Sequence, residues 1–354
     1  MPLSLNRLAS LGGTSNPWNG PHAIENAGQA SSYSRAQLTG VIAEAASINS
    51  RFLRFPIEFS YHFRSPDTIY TGNLLDWFFY TCFQYGVIPF PVLHGHPNNA
   101  QQAGWTATYP ADGRFIHGNK PEPEQITDTK ERWTAALDIL AYEANRAGCP
   151  QSIIPVQNGN ELGKGGSGDW RPYEEQLPAN PEELSADGTV PQSVVSFRGD
   201  LLANVIRNYD FIAVSPAIEA ETTTIMQAEI DSVGWKTVLN LHDKIAIHAY
   251  SETSGVMNRC YASYAQGVSY KARKTILTNN SITLPVWVTE CGRLQTEVAP
   301  TGAYIADVMA TTCKKLGAEE AFGFVLVMND NDYAAYVKTD FSVSAPAWPG
   351  SEGS

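Results

Sequence analysis

Short apolar segments alternate strictly along the chain with segments of helical periodicity. We predict eight strands, at residues 3–16, 51–61, 86–94, 153–162, 211–218, 244–250, 284–292 and 322–328. We predict helices between them at residues 35–48, 74–85, 128–147, 194–208, 222–233, 258–278 and 302–316. Such alternation is typical of a parallel sheet with helical crossovers, and eight units favour closure into a barrel.

The predicted fold class is therefore α/β, a (β/α)8 TIM barrel with long loops after strands three and four. The 354-residue chain suits one elaborated barrel. We expect a single catalytic domain over residues 1–340 and a tail or linker over residues 341–354, which are rich in Ser, Pro and Gly. A doubly wound open sheet is the alternative arrangement of the same elements.

Charge and hydropathy limit the partners of the chain. It carries 36 acidic against 24 basic residues, which argues against binding to nucleic acid or an anionic membrane. No apolar run reaches the roughly 20 residues of a membrane helix. The N-terminus lacks a long apolar core, so we expect no signal peptide. A mature form without its export signal would look the same, so an extracellular location stays open, as does the oligomeric state.

Two of the predicted strands end in a carboxylate. The segment IIPVQNGNEL carries Asn160 and Glu161 near its end, and the segment LPVWVTECG contains Glu290. Chemistry in a (β/α)8 barrel takes place at the carboxyl ends of the strands, so these two acids could share one site. Hydrolysis of a glycosidic bond needs two carboxyl groups, and a separation of roughly 5–5.5 Å leads to retention of configuration. The alternative is that each Glu forms a strand-end salt bridge.

These two segments resemble the clan A glycoside hydrolases, which are retaining enzymes on (β/α)8 barrels. The resemblance is carried by Asn160-Glu161 after strand four and by Thr289-Glu290 on strand seven. It implies that Glu161 is the acid/base, that Glu290 is the nucleophile, and that Asn160 binds the sugar 2-hydroxyl. Adjacent strand residues point to opposite faces, so Asn160 and Glu161 both reach the site only where strand four loses its regularity.

Further positions fit the same resemblance. Arg54 on strand two matches the arginine beside the nucleophile, where a cation would favour the ionised form of Glu290. His248 and Tyr250, in the segment HAY that ends strand six, match a His-x-Tyr pair of the clan. The resemblance implies a hydrolase of β-linked glycans or oligosaccharides, and we expect it to use no cofactor and no metal.

The resemblance is incomplete at strand eight. Many members of the clan place a Trp there as a platform for the sugar, whereas this chain has Met328-Asn329-Asp330. We therefore take Asp330 as a candidate for substrate binding, together with Trp105 and Trp170 in the two long loops. Aromatic rings in such loops can stack on sugars, although ordinary packing is the alternative.

His94-Gly95-His96 after strand three has a metal-ligand spacing. A metal-dependent barrel hydrolase of the amidohydrolase type is therefore an alternative, although strand five offers no His. In the glycosidase interpretation, His94 and His96 contact sugar hydroxyls. A catalytically decayed, carbohydrate-binding barrel is a further alternative. The Gly-rich run 163–168 lacks the residue order of a phosphate-binding loop. Five scattered cysteines predict neither a disulfide framework nor a zinc motif.

Overall fold

The structure, a computed structural model, describes most of the barrel. The described residues are 12–15, 35–47, 50–58, 73–94, 123–160, 192–218, 223–231, 234–249, 268–292 and 312–324. Some side chains within these ranges, including those of Glu58 and His94, lie outside the description. The predicted boundary between a domain and a tail at residue 340 lies beyond these ranges and stays a prediction.

Strands and helices alternate along the described residues. The strands are β1 (Gly12–Ser15), β2 (Phe52–Glu58), β3 (Ile88–His94), β4 (Pro155–Gln157), β5 (Ile212–Val214), β6 (Ile245–His248), β7 (Val286–Gly292) and β8 (Glu320–Phe324). The helices are α1 (Arg35–Ser47), α2 (Asn73–Gln84), α3 (Pro123–Ala147), α4 (Gln192–Asn204), α5 (Thr223–Asp231), α6 (Trp235–Asn240) and α7 (Val268–Asn279). None of the helices in these ranges is long and apolar enough to span a bilayer.

The eight strands form one sheet in the order β5-β4-β3-β2-β1-β8-β7-β6, and neighbouring strands pair in parallel. The two edges of this order meet each other. Parallel bridges join Val214 to Lys244 and Ile218 to Ile247, and the Ser215 amide donates to the Lys244 carbonyl at 2.9 Å. The sheet therefore closes, which confirms the (β/α)8 barrel and shows that the open-sheet alternative is wrong.

Aromatic rings fill the lower part of the barrel interior. Phe52, Phe90, Trp287 and Phe322 come from β2, β3, β7 and β8, and their ring centroids lie 5.3–5.9 Å apart. The Trp287 Nε1–H donates to Glu319 Oε2 at 2.6 Å, at the amino end of β8. Because this end is packed and closed, a functional site must lie at the opposite, carboxyl ends of the strands.

The helices cover the outside of the sheet through apolar stripes. Trp133, Leu137, Leu140 and Ala144 of α3 are all fully buried, and their spacing is that of one apolar face of an amphipathic helix. Residues 312–315 are helical and are followed by Gly317 at φ +99°. A residue with positive φ after a helix is a common C-terminal cap, and Gly317 has this conformation.

The predicted bounds of strand four are wrong. Residues 151–153 form a 3₁₀ turn, and β4 covers only Pro155–Gln157. The apolar run is therefore divided between a turn and a strand, which hydrophobicity cannot distinguish. Gly12 and Gly13 lie inside β1, where parallel pairing on both sides, with β2 and β8, outweighs the low strand propensity of glycine.

Two helical predictions also differ from the structure. Helix α3 begins at Pro123, whereas its predicted start was residue 128. Proline is favoured in the first helical turn because its missing N–H has no partner there in any case. The helix predicted to reach residue 208 ends at Asn204 and continues as a 3₁₀ turn over Ile206–Asn208. The short helix α6 has no counterpart among the predicted elements.

Candidate active site

Glu290 lies in a β-bulge of β7. Toward β6, Ile247 pairs with Val288 but His248 pairs with Glu290, so β7 contains one extra residue. Toward β8, the register shifts over the same stretch, between Val288 and Cys291. A bulge bends the strand and changes the direction of a side chain, and bulges are frequent beside active sites.

The bulge turns the side chain of Glu290 into the barrel. Trp287 faces inward, because its ring lies 5.6 Å from Phe52 and 5.7 Å from Phe90. In a regular strand, residues three apart point to opposite faces of the sheet. The extra residue reverses this alternation, and the Glu290 carboxylate meets the guanidinium of Arg54 from β2. The sequence pattern alone would have directed Glu290 toward the helices.

Arg54 connects three strand ends. Its Nη1 donates to Glu290 Oε1 at 2.7 Å, its Nη2 to Asn160 Oδ1 at 2.6 Å, and its Nε to Gln157 Oε1 at 2.8 Å. Arg54 is 1% exposed and Glu290 is 4% exposed. A buried ion pair is strongly destabilised when one partner is removed, so the two charges depend on each other.

The chain leaves the regular strand conformation directly after β4. Gly159 has φ +105°, and Gln157 Nε2 donates to its carbonyl at 2.8 Å. As a result, Gln157 and Asn160 both reach Arg54 although they are three residues apart. The loss of strand regularity that the sequence required before Asn160 is present.

His248 completes the surroundings of Glu290 among the described residues. It is the last residue of β6 and is 1% exposed. Its Nε2 lies 3.4 Å from Glu290 Oε1, which is ion-pair distance when the ring is protonated. Glu290 Oε1 thus faces both the guanidinium of Arg54 and the imidazole of His248.

The structure therefore brings together Arg54, Asn160, His248 and Glu290 of the residues predicted from the sequence. His94 is the last residue of β3, and its side chain lies outside the description. The remaining predicted residues lie outside the described ranges: Glu161, His96, Tyr250, Trp105, Trp170 and Asp330. Their roles stay predictions.

A second layer of polar residues lies behind the site and was not predicted from the sequence. Gln157 contacts Arg54 directly. Asn158 Nδ2 donates to the Arg198 carbonyl at 2.9 Å and lies 3.1 Å from His242 Nε2. The polar pair Gln157-Asn158, inserted directly after the apolar run, was a usable signal for such a layer. Arg198 and His242 sit on distant segments and gave no comparable signal.

The imidazole ring of His242 is uncharged at neutral pH. Its ring is buried, and burial lowers its pKa to about 4. With Nδ1 at 2.9 Å from the Val238 carbonyl, Nδ1 must carry the proton. Nε2 is then an acceptor, and Asn158 Nδ2 donates to it.

The described residues offer no cluster of three or more His, Cys, Asp or Glu side chains that could hold a metal ion. The side chains of the His94-x-His96 pair predicted from the sequence lie outside the described residues. The groups at the described part of the site are one carboxylate, one guanidinium, one imidazole and two amides. Such a set can hold an ionised carboxylate in a fixed direction and donate hydrogen bonds to a polar substrate.

The closed sheet and its polar carboxyl end define the chain as a (β/α)8 barrel with a candidate active site at the usual place for this fold. Solved structures share this fold over nearly the whole chain. A GH5_18 protein from Streptomyces cattleya, in complex with Manβ1-4GlcNAc, matches with a TM-score of 0.58 at 14% identity and covers 94% of this chain and 77% of its own. A GH5-4 broad specificity endoglucanase from Clostridium acetobutylicum matches with a TM-score of 0.56 at 13% identity and covers 98% of both chains.

The catalytic domain of a mannanase from Streptomyces sp. SirexAA-E matches with a TM-score of 0.50 at 14% identity and covers 95% of this chain and 81% of its own. At these identities the likeness shows that the fold is shared. No protein-family model matches the chain, and no curated protein sequence matches it significantly.

Proposed function

We propose that the protein is a retaining glycoside hydrolase that cleaves a β-linked glycan or oligosaccharide by double displacement. The observation that carries the proposal is the position of the Glu290 carboxylate. A bulge directs it into the carboxyl end of the barrel, where Arg54 binds it at 2.7 Å and also binds Asn160 at 2.6 Å. Asn160 directly precedes Glu161, the candidate acid/base, in the sequence.

The proposed roles follow from the chemistry of the two acids. Glu290 attacks the anomeric carbon while Glu161 protonates the departing glycosidic oxygen, which gives a covalent glycosyl-enzyme and a free alcohol. Glu161 then removes a proton from water, which attacks the anomeric carbon and releases Glu290. Two inversions of configuration give a product with retained configuration.

Arg54 suits a nucleophile whose charge disappears during the reaction. When Glu290 becomes an ester, the guanidinium loses its anionic partner. Gln157 and Asn160 still accept hydrogen bonds from its Nε and Nη2. The buried cation therefore keeps neutral partners throughout the cycle, which limits the cost of the covalent intermediate. Asn160 presents its Oδ1 to Arg54, and its Nδ2 is the donor that we assign to the sugar 2-hydroxyl.

The structural neighbours suggest the first substrates to test. One is described in complex with Manβ1-4GlcNAc, and others are described as a mannanase, an exo-β-1,4-mannosidase and an endoglucanase. A panel of β-1,4-linked mannans, glucans and their oligosaccharides, with product analysis, therefore tests the substrate class.

The decisive variants are Glu290→Ala and Glu161→Gln. We expect Glu290→Ala to abolish turnover and added azide to restore it with the opposite anomeric configuration in the product. We expect Glu161→Gln to lose least on substrates with good leaving groups, since these need no protonation. Glu319→Gln, which removes a carboxylate at the opposite end of the barrel, is the matched control and is expected to keep full turnover. Full activity of Glu290→Ala would refute the assignment.

The same panel separates the rival functions. Calorimetric binding of an oligosaccharide without product after long incubation would favour a carbohydrate-binding barrel. Loss of activity with a chelator, and its return with a divalent metal, would favour the metal-dependent hydrolase.

A further inference from the structure

Arg198 is a buried cation behind the candidate site. It lies in the middle of α4 and is fully buried. Its Nη1 donates to the carbonyl of Leu93 at 3.0 Å, and Leu93 directly precedes the end of β3 at His94. Its guanidinium carbon lies 5.6 Å from the Trp133 ring and 5.4 Å from the Phe197 ring. Burial of a guanidinium is costly, and these polar and aromatic contacts offset part of that cost.

The same guanidinium packs against the backbone after β4. A Cβ atom added to Gly159 would lie 3.0 Å from Arg198 Cζ and 3.1 Å from its Nε. Only glycine allows so close an approach, and its φ of +105° also disfavours other residues. Arg198 therefore fills the space that a side chain at position 159 would occupy, one residue before Asn160.

The backbone of Arg198 holds the preceding residue of the same segment. Its carbonyl accepts a hydrogen bond from Asn158 Nδ2 at 2.9 Å. The Asn158 amide nitrogen in turn donates to the Val214 carbonyl at 2.9 Å, at the end of β5. Arg198 thus contacts Leu93, which lies just before the end of β3. It also contacts Asn158 and Gly159, which follow β4 and directly precede Asn160.

We propose that Arg198 is a positioning residue that fixes the segment 158–160, and with it the neighbouring Glu161, relative to the end of β3. Its contacts with Leu93, Asn158 and Gly159 act through the backbone rather than on the reacting atoms. The proposal rests on the proposed function for its catalytic consequence, because the segment it fixes carries Asn160 and leads to the candidate acid/base. A residue with a purely structural role would affect all steps of the reaction alike.

The test compares Arg198→Met and Arg198→Lys with the control variants Arg207→Met and Arg207→Lys. Arg207 follows the same helix but is exposed, where it pairs with Asp243 at 3.0 Å. On substrates with poor leaving groups we expect Arg198→Met to lower kcat/KM by about tenfold or more. On aryl β-glycosides with good leaving groups we expect a loss of kcat/KM below about threefold, because kcat/KM reports the first step, in which protonation by Glu161 is then dispensable. Arg198→Lys should restore part of the loss, and the Arg207 variants should behave as the wild type.

Hydrogen exchange provides a readout that does not depend on activity. We expect faster exchange in peptides that contain residues 156–160 in Arg198→Met, and wild-type exchange in both Arg207 variants. Equal losses of kcat/KM on good and poor leaving groups, or unchanged exchange in this segment, would overturn the positioning role. If the wild type acts on no glycoside, the proposed function fails, and the exchange experiment alone decides whether Arg198 fixes the segment.

Discussion

Arg54 Nη1 donates to Glu290 Oε1 at 2.7 Å, although 236 residues separate the two positions along the chain. Their strands, β2 and β7, are not neighbours, since β1 and β8 lie between them. The contact therefore crosses the barrel interior rather than running along a sheet ladder. Both side chains are buried, so each charge is compensated mainly by protein groups rather than by water.

The first prediction concerns the stability of this pair. We expect Arg54→Met to lower the free energy of unfolding by about 3–5 kcal/mol, because it leaves the Glu290 carboxylate buried without its guanidinium. The double variant Arg54→Met/Glu290→Gln removes both charges and should be considerably more stable than the sum of the single effects implies. Urea denaturation of the wild type, the two single variants and the double variant measures the coupling.

The exposed pair Arg207–Asp243 serves as the control for this cycle, with side chains that are more than one-third exposed. Its coupling should stay below about 1 kcal/mol, as is usual for surface pairs. Equal coupling in the two cycles would contradict the view that burial makes Arg54 and Glu290 interdependent.

The bulge explains why the sequence could predict Glu290 as a site residue but could not predict the direction of its side chain. An apolar run that ends in a carboxylate indicated a strand end, and the order of such ends along the chain indicated a shared edge of the barrel. Strand alternation counted from Trp287 would nevertheless direct Glu290 away from the interior. The reversal depends on how β7 pairs with both β6 and β8, and this information is contained in three segments that are distant in sequence.

The other residues around the site also differ in whether the sequence could predict them. Arg54, Asn160 and His248 were predictable because each lies at or near the carboxyl end of an apolar strand. Arg198 lies in the middle of a helix, and only the close approach of that helix to Gly159 gives it a function. A polar residue within an amphipathic helix is ordinarily placed on the solvent face, so no local pattern distinguishes it.

A second prediction tests the bulge. The Thr289 hydroxyl is buried and makes no hydrogen bond to any described residue. Thr289→Val keeps the extra residue of the bulge and removes this unsatisfied group, so we expect unchanged or slightly higher stability, by up to roughly 1 kcal/mol. Turnover should be kept, because the direction of Glu290 is preserved.

Deletion of Thr289 provides the contrast to Thr289→Val. It removes the extra residue and should turn Glu290 toward the apolar outer layer, with loss of turnover. Circular dichroism and thermal unfolding report whether the barrel remains. A folded deletion variant with wild-type turnover would show that the bulge does not set the direction of Glu290.

A third prediction uses two glycines with positive φ. Gly148 has φ +69° and open space where a side-chain methyl group would lie, whereas Gly159 has φ +105° and the Arg198 guanidinium 3.0 Å from that position. Gly148→Ala should therefore cost about 1 kcal/mol of backbone strain alone. Gly159→Ala should cost roughly 2–4 kcal/mol, because the buried Arg198 must also move.

Thermal and urea unfolding of the two glycine variants measures the difference directly. We further expect Gly159→Ala to lower turnover and Gly148→Ala to leave it unchanged, since only Gly159 adjoins Asn160. Equal destabilisation in the two variants would mean that the contact with Arg198 contributes nothing beyond the backbone conformation.

The last prediction concerns pH and His242. Burial lowers its pKa from 6.5 to about 4 in the folded protein. The unfolded chain therefore binds more protons at this residue between these two values, and stability must fall as the pH falls through this range. Above pH 6.5 the contribution of His242 to stability is fully present, and below about pH 4 it changes no further.

His242→Gln keeps an acceptor for Asn158 and does not titrate, so the wild type should lose up to roughly 3 kcal/mol relative to this variant between about pH 7 and about pH 4. Other groups titrate equally in both proteins, so the difference between their free energies of unfolding, measured by urea denaturation across this range, reports on His242 alone. If the free energies of unfolding of the two proteins changed with pH in parallel, the ring would be protonated at no cost in the folded state.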